Sequence, residues 1–499
     1  MRNRWMTAMA IALISSAVWA AESPQFVLMQ NPDSPFVTFR FWIKAGSACD
    51  PLGKEGVACL TGAMIGQGST RNNPYEAILR KMFPLAASYE VQVDREMTVL
   101  LGTVHKDNLA PFYALLKDAL LAPAFSADDF NRLKTDQANY IETSLRYSSD
   151  EELGKAVLHS VAFEGTSYAH PEEGLVQPVK ALTIDDVKAF YSKYYTRSNI
   201  TVGIAGGFTD ELVAQIRKDI DALPAGVPAQ RVVPAPPKGP RGLRVVLVEK
   251  DTRSTAISFG HRFDLTRASD DFYPLMIANS WLGEHRNSFS HLYQVMREAR
   301  GLNYGDYSYL EWFPMGGRYE VPRPNYARHA QMFEVWIRPV TNEARHFALR
   351  QAVREVGMLV ENGMTPETFG LTQNYLLNYC LNYAPTESYR LGYGLDDMFY
   401  GLPESHLDRI QKRVKAAALD QVNAALKKHI DPGNFTIVIV TKDAEALRKA
   451  LIENATSPMK YDSPTPESIL AEDKVIQDYK LQIAPENIRI IPISEVFEK

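Results

Sequence analysis

A twenty-residue stretch in the middle of the chain, Leu223 to Gly242, reads LPAGVPAQRVVPAPPKGPRG and holds six prolines. Proline fixes φ and has no backbone N–H, so neither a helix nor a central strand can run through it. An extended, semi-rigid linker is what this composition can form. At 499 residues the chain is too long for one compact core, so structure must be built on both sides of the linker. The two sides echo each other. Each opens on a strand with period-two apolar residues, Phe36 to Phe41 in the first half and Ala256 to Gly260 in the second. Each closes on a polar turn carrying Asn-x-Thr (Asn199 to Thr201, Asn434 to Thr436), then an apolar strand, then a helix, Glu211 to Ile220 and Ala444 to Ile452. Correspondence at both ends of two units implies duplication.

Between these strands the periodicity is helical. Leu109 to Leu121, Ala127 to Ser144, His346 to Glu361 and Pro366 to Leu381 carry apolar residues three and four apart. Strands interrupted by helical pairs predict an α+β fold: two homologous domains, each a mostly antiparallel sheet with helices packed on one face. The expected division is a leader at 1–20, a first domain at 21–222, the linker at 223–242, a second domain at 243–456 and an extended tail at 457–499. The tail is broken by prolines, ends in a strand-like Asn487 to Pro492, and is expected to wrap one of the domains.

The leader has Arg2 and Arg4 before a short apolar run, Met6 to Ala17, and a small-residue cleavage site at Val18-Trp19-Ala20. That pattern predicts a secretory signal, a mature chain starting near Ala21 and a periplasmic location; the alternative is a buried N-terminal helix. The apolar run is too short to span a membrane, and no other stretch is longer and as apolar. A net charge of −5 gives no footprint for nucleic acid. Cys49, Cys59 and Cys380 are an odd set, so at least one thiol is unpaired; Cys49 and Cys59 are near enough in sequence to bridge, and spacing does not decide whether they do. As packing units all three are expected to be small buried hydrophobes.

One segment is notable for what it lacks. Gly53 to Met64 has a glycine-bounded turn and then a short helix after the first strand, the frame in which two histidines four apart hold zinc and a glutamate acts as base. Those three positions here are Cys59, Gly62 and Ala63. The frame belongs to a wider pattern. Ala45-Gly46-Ser47 before Gly53-Lys54-Glu55-Gly56, Tyr168-Ala169-His170-Pro171 with Gly174, Tyr194-Tyr195 before Asn199, and Met296 to Tyr304 follow in order across both halves. In this the chain resembles the pitrilysin/insulinase-type (M16) zinc peptidases, whose motif is an inverted His-x-x-Glu-His.

By that resemblance the family's two histidines fall on Cys59 and Ala63, its glutamate on Gly62, and its third ligand near Glu142. One carboxylate, even beside a thiol, is not the three-ligand site of a catalytic zinc, so no metal or other cofactor is expected in this chain. The ten histidines offer no substitute: none are four apart, and the nearest grouping, Glu284-His285 with His291, spaces its histidines six apart. The resemblance further implies that Arg297 and Tyr304 bind substrate and stabilise the developing oxyanion across an enclosed chamber. Their chemistry suits this, a permanent charge with directional donors and one hydroxyl donor. The bland alternative makes Arg297 a surface charge and Tyr304 a core aromatic. Tyr307 to Phe313 is either a chamber wall or sheet core.

The implied function is that of a non-metal-binding subunit in a periplasmic heteromeric M16 peptidase. It would pair with a zinc-bearing sister chain, bind short unfolded peptides and supply Arg297 and Tyr304 in trans. The alternative is a catalytically inactive structural or peptide-binding protein of the same fold.

Overall fold

The structure, a computed structural model, describes residues 24–230, 241–314 and 319–499. The leader and the centre of the proline-rich stretch lie outside the described residues. The first sheet contains β1 (Gln25–Gln30), β2 (Phe36–Ile43), β3 (Ser88–Val93), β4 (Thr98–His105) and β5 (Ile200–Gly206), in the order β1-β5-β2-β4-β3. The second contains β6 (Arg244–Glu249), β7 (Ser254–Phe263), β8 (Asp306–Tyr309), β9 (Gln331–Thr341), β10 (Thr436–Thr441) and β11 (Ile488–Pro492), in the order β11-β6-β10-β7-β9-β8. With β11 set aside the two orders are the same, and so are the directions: the outer strand of each (β1, β6) runs parallel to its neighbour, and the rest pair antiparallel. The central registers match too. Phe39 lies between Ile204 and Gly102, as Phe259 lies between Ile437 and Val335. Duplication is written into the topology.

Each half covers one face of its sheet with its own helices. In the first, Leu60, Met64, Phe112, Leu116, Val187 and Ile216 pack on Val37, Phe39, Phe41, Val202 and Ile204. The other face is covered by a helix lent by the opposite half. Asp150–Ala162 of the first half lays Val157 and Val161 on Val246, Val248, Val438 and Val440 of the second sheet. In return Glu387–Tyr400 of the second half sets the fully buried Leu391 against Gly203 of β5, where a Cβ would come within 3.1 Å of it. β5, lying between β1 and β2, is consequently buried along its whole length. Ionic contacts seal the seam: Arg328 pairs with Asp94 and Glu172, and the His329 ring with Glu96.

The tail departs from an extended strap. It includes a helix, Glu467–Ile476, whose Ile476 is buried and whose Asp473 receives the Arg300 Nε at 2.8 Å. It also touches both halves: β11 adds in parallel to β6, and the last residues return to the first half, where Phe497 and Glu498 carbonyls accept from Val176 and Gln177. Among the described residues no helix is long and apolar enough to cross a membrane.

Candidate functional site

The helix with the vacant motif is Val57–Gln67, and its start is firmly built. Gly56 adopts φ +103°, a conformation that favours glycine, and the Asp50 carboxylate accepts from the Gly56 and Ala58 N–H groups at 2.6 and 2.8 Å. Gln137 ties the Gly56 and Glu173 carbonyls together from the neighbouring helix. The helix lies on β3, the edge strand of the first sheet. Gly62 faces that strand, and a Cβ placed there would sit 2.6 Å from Val93 Cγ2 and 3.1 Å from Val91 Cγ1. The place of the missing glutamate is therefore filled by valine side chains.

The other ligand positions fare no better. Cys59 is half-buried and unpaired; its thiol is pushed well above the ordinary value by burial and by the carboxylates of Glu173, Asp50 and Glu172. Glu142 falls on a π-helical turn, Tyr140–Leu145, and is held by Lys180 at 2.6 Å. His285 bonds the Tyr309 hydroxyl, and His291 bonds Glu355 while stacking on Trp281. Among the described residues no group of three or more His, Cys, Asp or Glu is placed to hold a metal. The residues present do not fit a zinc site. All three cysteines are free, with no bridge between Cys49 and Cys59; Cys380 is buried as expected, and the other two are half-buried rather than buried.

Beside the vacant helix lies a cavity of about 420 Å³ between the halves, which the sequence did not disclose. Arg95, Tyr140, Glu152, Glu172 and Glu173 line it from the first half and Trp312 from the second. Burial and then the neighbouring Glu172 charge push the Glu173 carboxyl up to about 7. The Glu-Glu pair follows the His170-Pro171 loop, so the loop was legible as a motif but its partner wall was not.

Arg297 and Tyr304 are brought together elsewhere, in an open cleft of about 710 Å³ at one end of the second sheet. Arg297 lies on a second π-helical turn, Tyr293–Glu298, with its guanidinium 4.6 Å from the Tyr293 ring centroid and 6.0 Å from that of Tyr304. Such turns are rare and gather at functional positions. Arg300, three residues on, points the other way: it is wholly buried against Asp473 and Glu472 of the tail helix and anchors the turn. Asn303 donates to Asp306 and to the Arg338 carbonyl, pinning the loop that presents Tyr304. Tyr304 is 77% exposed, so it is not a core aromatic. Tyr307, Tyr309 and Phe313, by contrast, are buried with Trp336, while Trp312 of the same segment lines the cavity between the halves, so the segment is core on one side and wall on the other.

A family model described as insulinase (peptidase family M16) matches residues 25–174, and one described as peptidase M16 inactive domain matches residues 181–376. The uncharacterized zinc protease YmxG of Bacillus subtilis is 20% identical over 84% of this chain and 96% of its own length. The mitochondrial-processing peptidase subunit beta of Dictyostelium discoideum is 22% identical over 47% of this chain and 46% of its own. Among solved structures, a peptidase M16 inactive domain from Pseudomonas fluorescens superposes with a TM-score of 0.72 at 22% identity, over 84% of this chain and 95% of that one. A protease from Helicobacter pylori follows at 0.68 and 15% identity, over 83% and 96%. With both halves matched by its domain models and the duplicated fold shared with its structures, the chain belongs to the M16 (insulinase) peptidase family.

Proposed function

We propose that this chain is the non-metal-binding subunit of a periplasmic, heteromeric M16 zinc peptidase. It binds peptide and presents Arg297 and Tyr304 to an active site whose zinc is held by a sister chain. The observation that carries this reading is the contrast between two places. The zinc helix is closed by Val93 packing against Gly62, while Arg297 and Tyr304 stand in an open cleft, Tyr304 exposed and Arg297 held at the rim by Glu298 at 3.3 Å. A guanidinium and a phenol at that spacing can share one carbonyl oxygen or its tetrahedral oxyanion. Peptide would add backbone to backbone at a sheet edge, which needs no particular side chains; β3 and β8 are such edges.

The second reading is a catalytically inactive structural or peptide-binding protein of the same fold, which the residues at the zinc positions, Cys59, Gly62 and Ala63, would equally suit. One experiment separates them. The purified chain and a zinc-bearing M16 partner copurified from the same periplasm are assayed alone and mixed on a quenched unstructured peptide. The proposal expects cleavage only on mixing, with zinc entering through the partner alone. A partner fully active by itself, unaffected by this chain, would leave the non-catalytic reading.

A further inference from the structure

The cleft that holds Arg297 and Tyr304 carries two more guanidinium groups, and among the described residues that line it Glu298 is the one acid. Arg253 reaches it from the β6–β7 turn, is exposed, and has no ion-pair partner among the described residues. Arg338 enters from β9; it gives its Nε to Glu151 at 3.3 Å, and its side chain is still 43% exposed. Glu298 meets Arg297 at 3.3 Å, also at the rim. Directly behind the cleft Asp306 is fully buried, and burial pushes its carboxyl up to about 8. That raised value favours the neutral acid, so Asp306 offsets the arginines less than an ordinary carboxylate would; Arg338 and Arg297 have Glu151 and Glu298 as partners, and Arg253 has none among the described residues. Three guanidinium groups from three separate elements thus surround one concave space beside an exposed phenol.

We propose that this cleft is a carboxylate site: Arg253 and Arg338 join Arg297 in gripping an anionic group of a bound peptide. Guanidinium forks match a carboxylate with paired, charge-assisted N–H donors, and a lone peptide carbonyl needs no such number of them. The substrate class is therefore a peptide bearing a carboxylate near the point where Tyr304 meets it, either a free C-terminus or an Asp or Glu side chain. This rests on the reading of the cleft as the place where peptide contacts the chain. It concerns binding by the chain alone, so it can fail while the role in trans stands, and the reverse.

The test uses the full mature chain and three fluorescently labelled decapeptides: an uncharged sequence with a free C-terminus, its C-terminal amide, and the amide with one central Asp. Affinities are read by fluorescence anisotropy for the wild type, Arg253→Gln and Arg253→Lys. Charge-assisted bonds of this kind predict that at least one acid-bearing peptide binds about tenfold or more tighter than the uncharged amide. Whichever one does identifies the source of the carboxylate. Arg253→Gln should narrow that gap, and Arg253→Lys should restore part of it. Equal affinities for all three peptides overturn the proposal. So does an Arg253→Gln variant, folded by circular dichroism, that leaves the gap intact or weakens all three peptides alike.

Discussion

Adding a single methyl group at Gly62 tests whether the zinc helix is closed by packing or simply lacks its ligands. Inside a helix, Gly→Ala alone should stabilise by about 1 kcal/mol. Here the new Cβ would lie 2.6 Å from Val93 Cγ2 and 3.1 Å from Val91 Cγ1. Val93 must retreat by about 1 Å to reach the ~3.5–4.0 Å of an ordinary carbon–carbon contact. Valine is stiff at χ1 and β3 is held by its ladder to β4, so the retreat has to come from the helix or the strand as a whole. Overpacking of this kind costs about 1–3 kcal/mol. Set against the helix-propensity gain, the net expectation is a loss of up to about 2 kcal/mol for Gly62→Ala. The midpoint of urea unfolding measures it, and a cycle with Val93→Ala isolates its source; the two changes should couple by about 1 kcal/mol or more in the favourable direction. A Gly62→Ala variant more stable than wild type by the full propensity gain, with no coupling to Val93, would refute the packing account.

Two other perturbations follow from the same contacts. Asp473→Ala strips the buried Arg300 of one of its two carboxylates and should cost about 2–3 kcal/mol in urea unfolding, with Glu472→Ala costing less because Glu472 is partly exposed; equal losses would contradict the anchoring role. Stability should also fall as pH rises from about 6.5 to 8.5. Burial raises Asp306 to about 8 and Glu173, Glu284 and Asp396 to about 7, so over this range the folded chain still holds protons that the unfolded chain has released; each such proton lowers stability further as pH rises, until the folded value is passed and the fall levels off. His170, His285 and His346, lowered by burial to about 4, are neutral in both states above their ordinary value and weaken the fold only as pH falls below it. A melting temperature that rises between pH 6.5 and 8.5 would contradict this assignment.

The duplication was readable because both halves end in the same turn, strand and helix, and a polar Asn-x-Thr turn before an apolar strand has few other uses. The vacancy at Cys59, Gly62 and Ala63 was readable because ligand chemistry depends on residue type. What covers an apolar face is a different matter. Periodicity reports that Leu391 or Val157 is buried, and is silent on whether the sheet beneath belongs to the same half, so the exchange of helices was not legible. The π-helical turns at Glu142 and Arg297 have no residue signature, and the tail helix at 467–476, short and set directly after prolines, was masked by them. Arg253 and Arg338 are separated from Arg297 by whole strands, and only the folded sheet brings the three to one cleft.

The most direct measurement on the proposed division of labour is turnover by the reconstituted pair carrying Tyr304→Phe in this chain. Removing one oxyanion donor typically costs about 2.7–4 kcal/mol of transition-state stabilisation, a fall on the order of 10²–10³ in kcat. The proposal predicts that fall with the pair still assembled and its zinc content unchanged. Wild-type turnover from the Tyr304→Phe pair would contradict it.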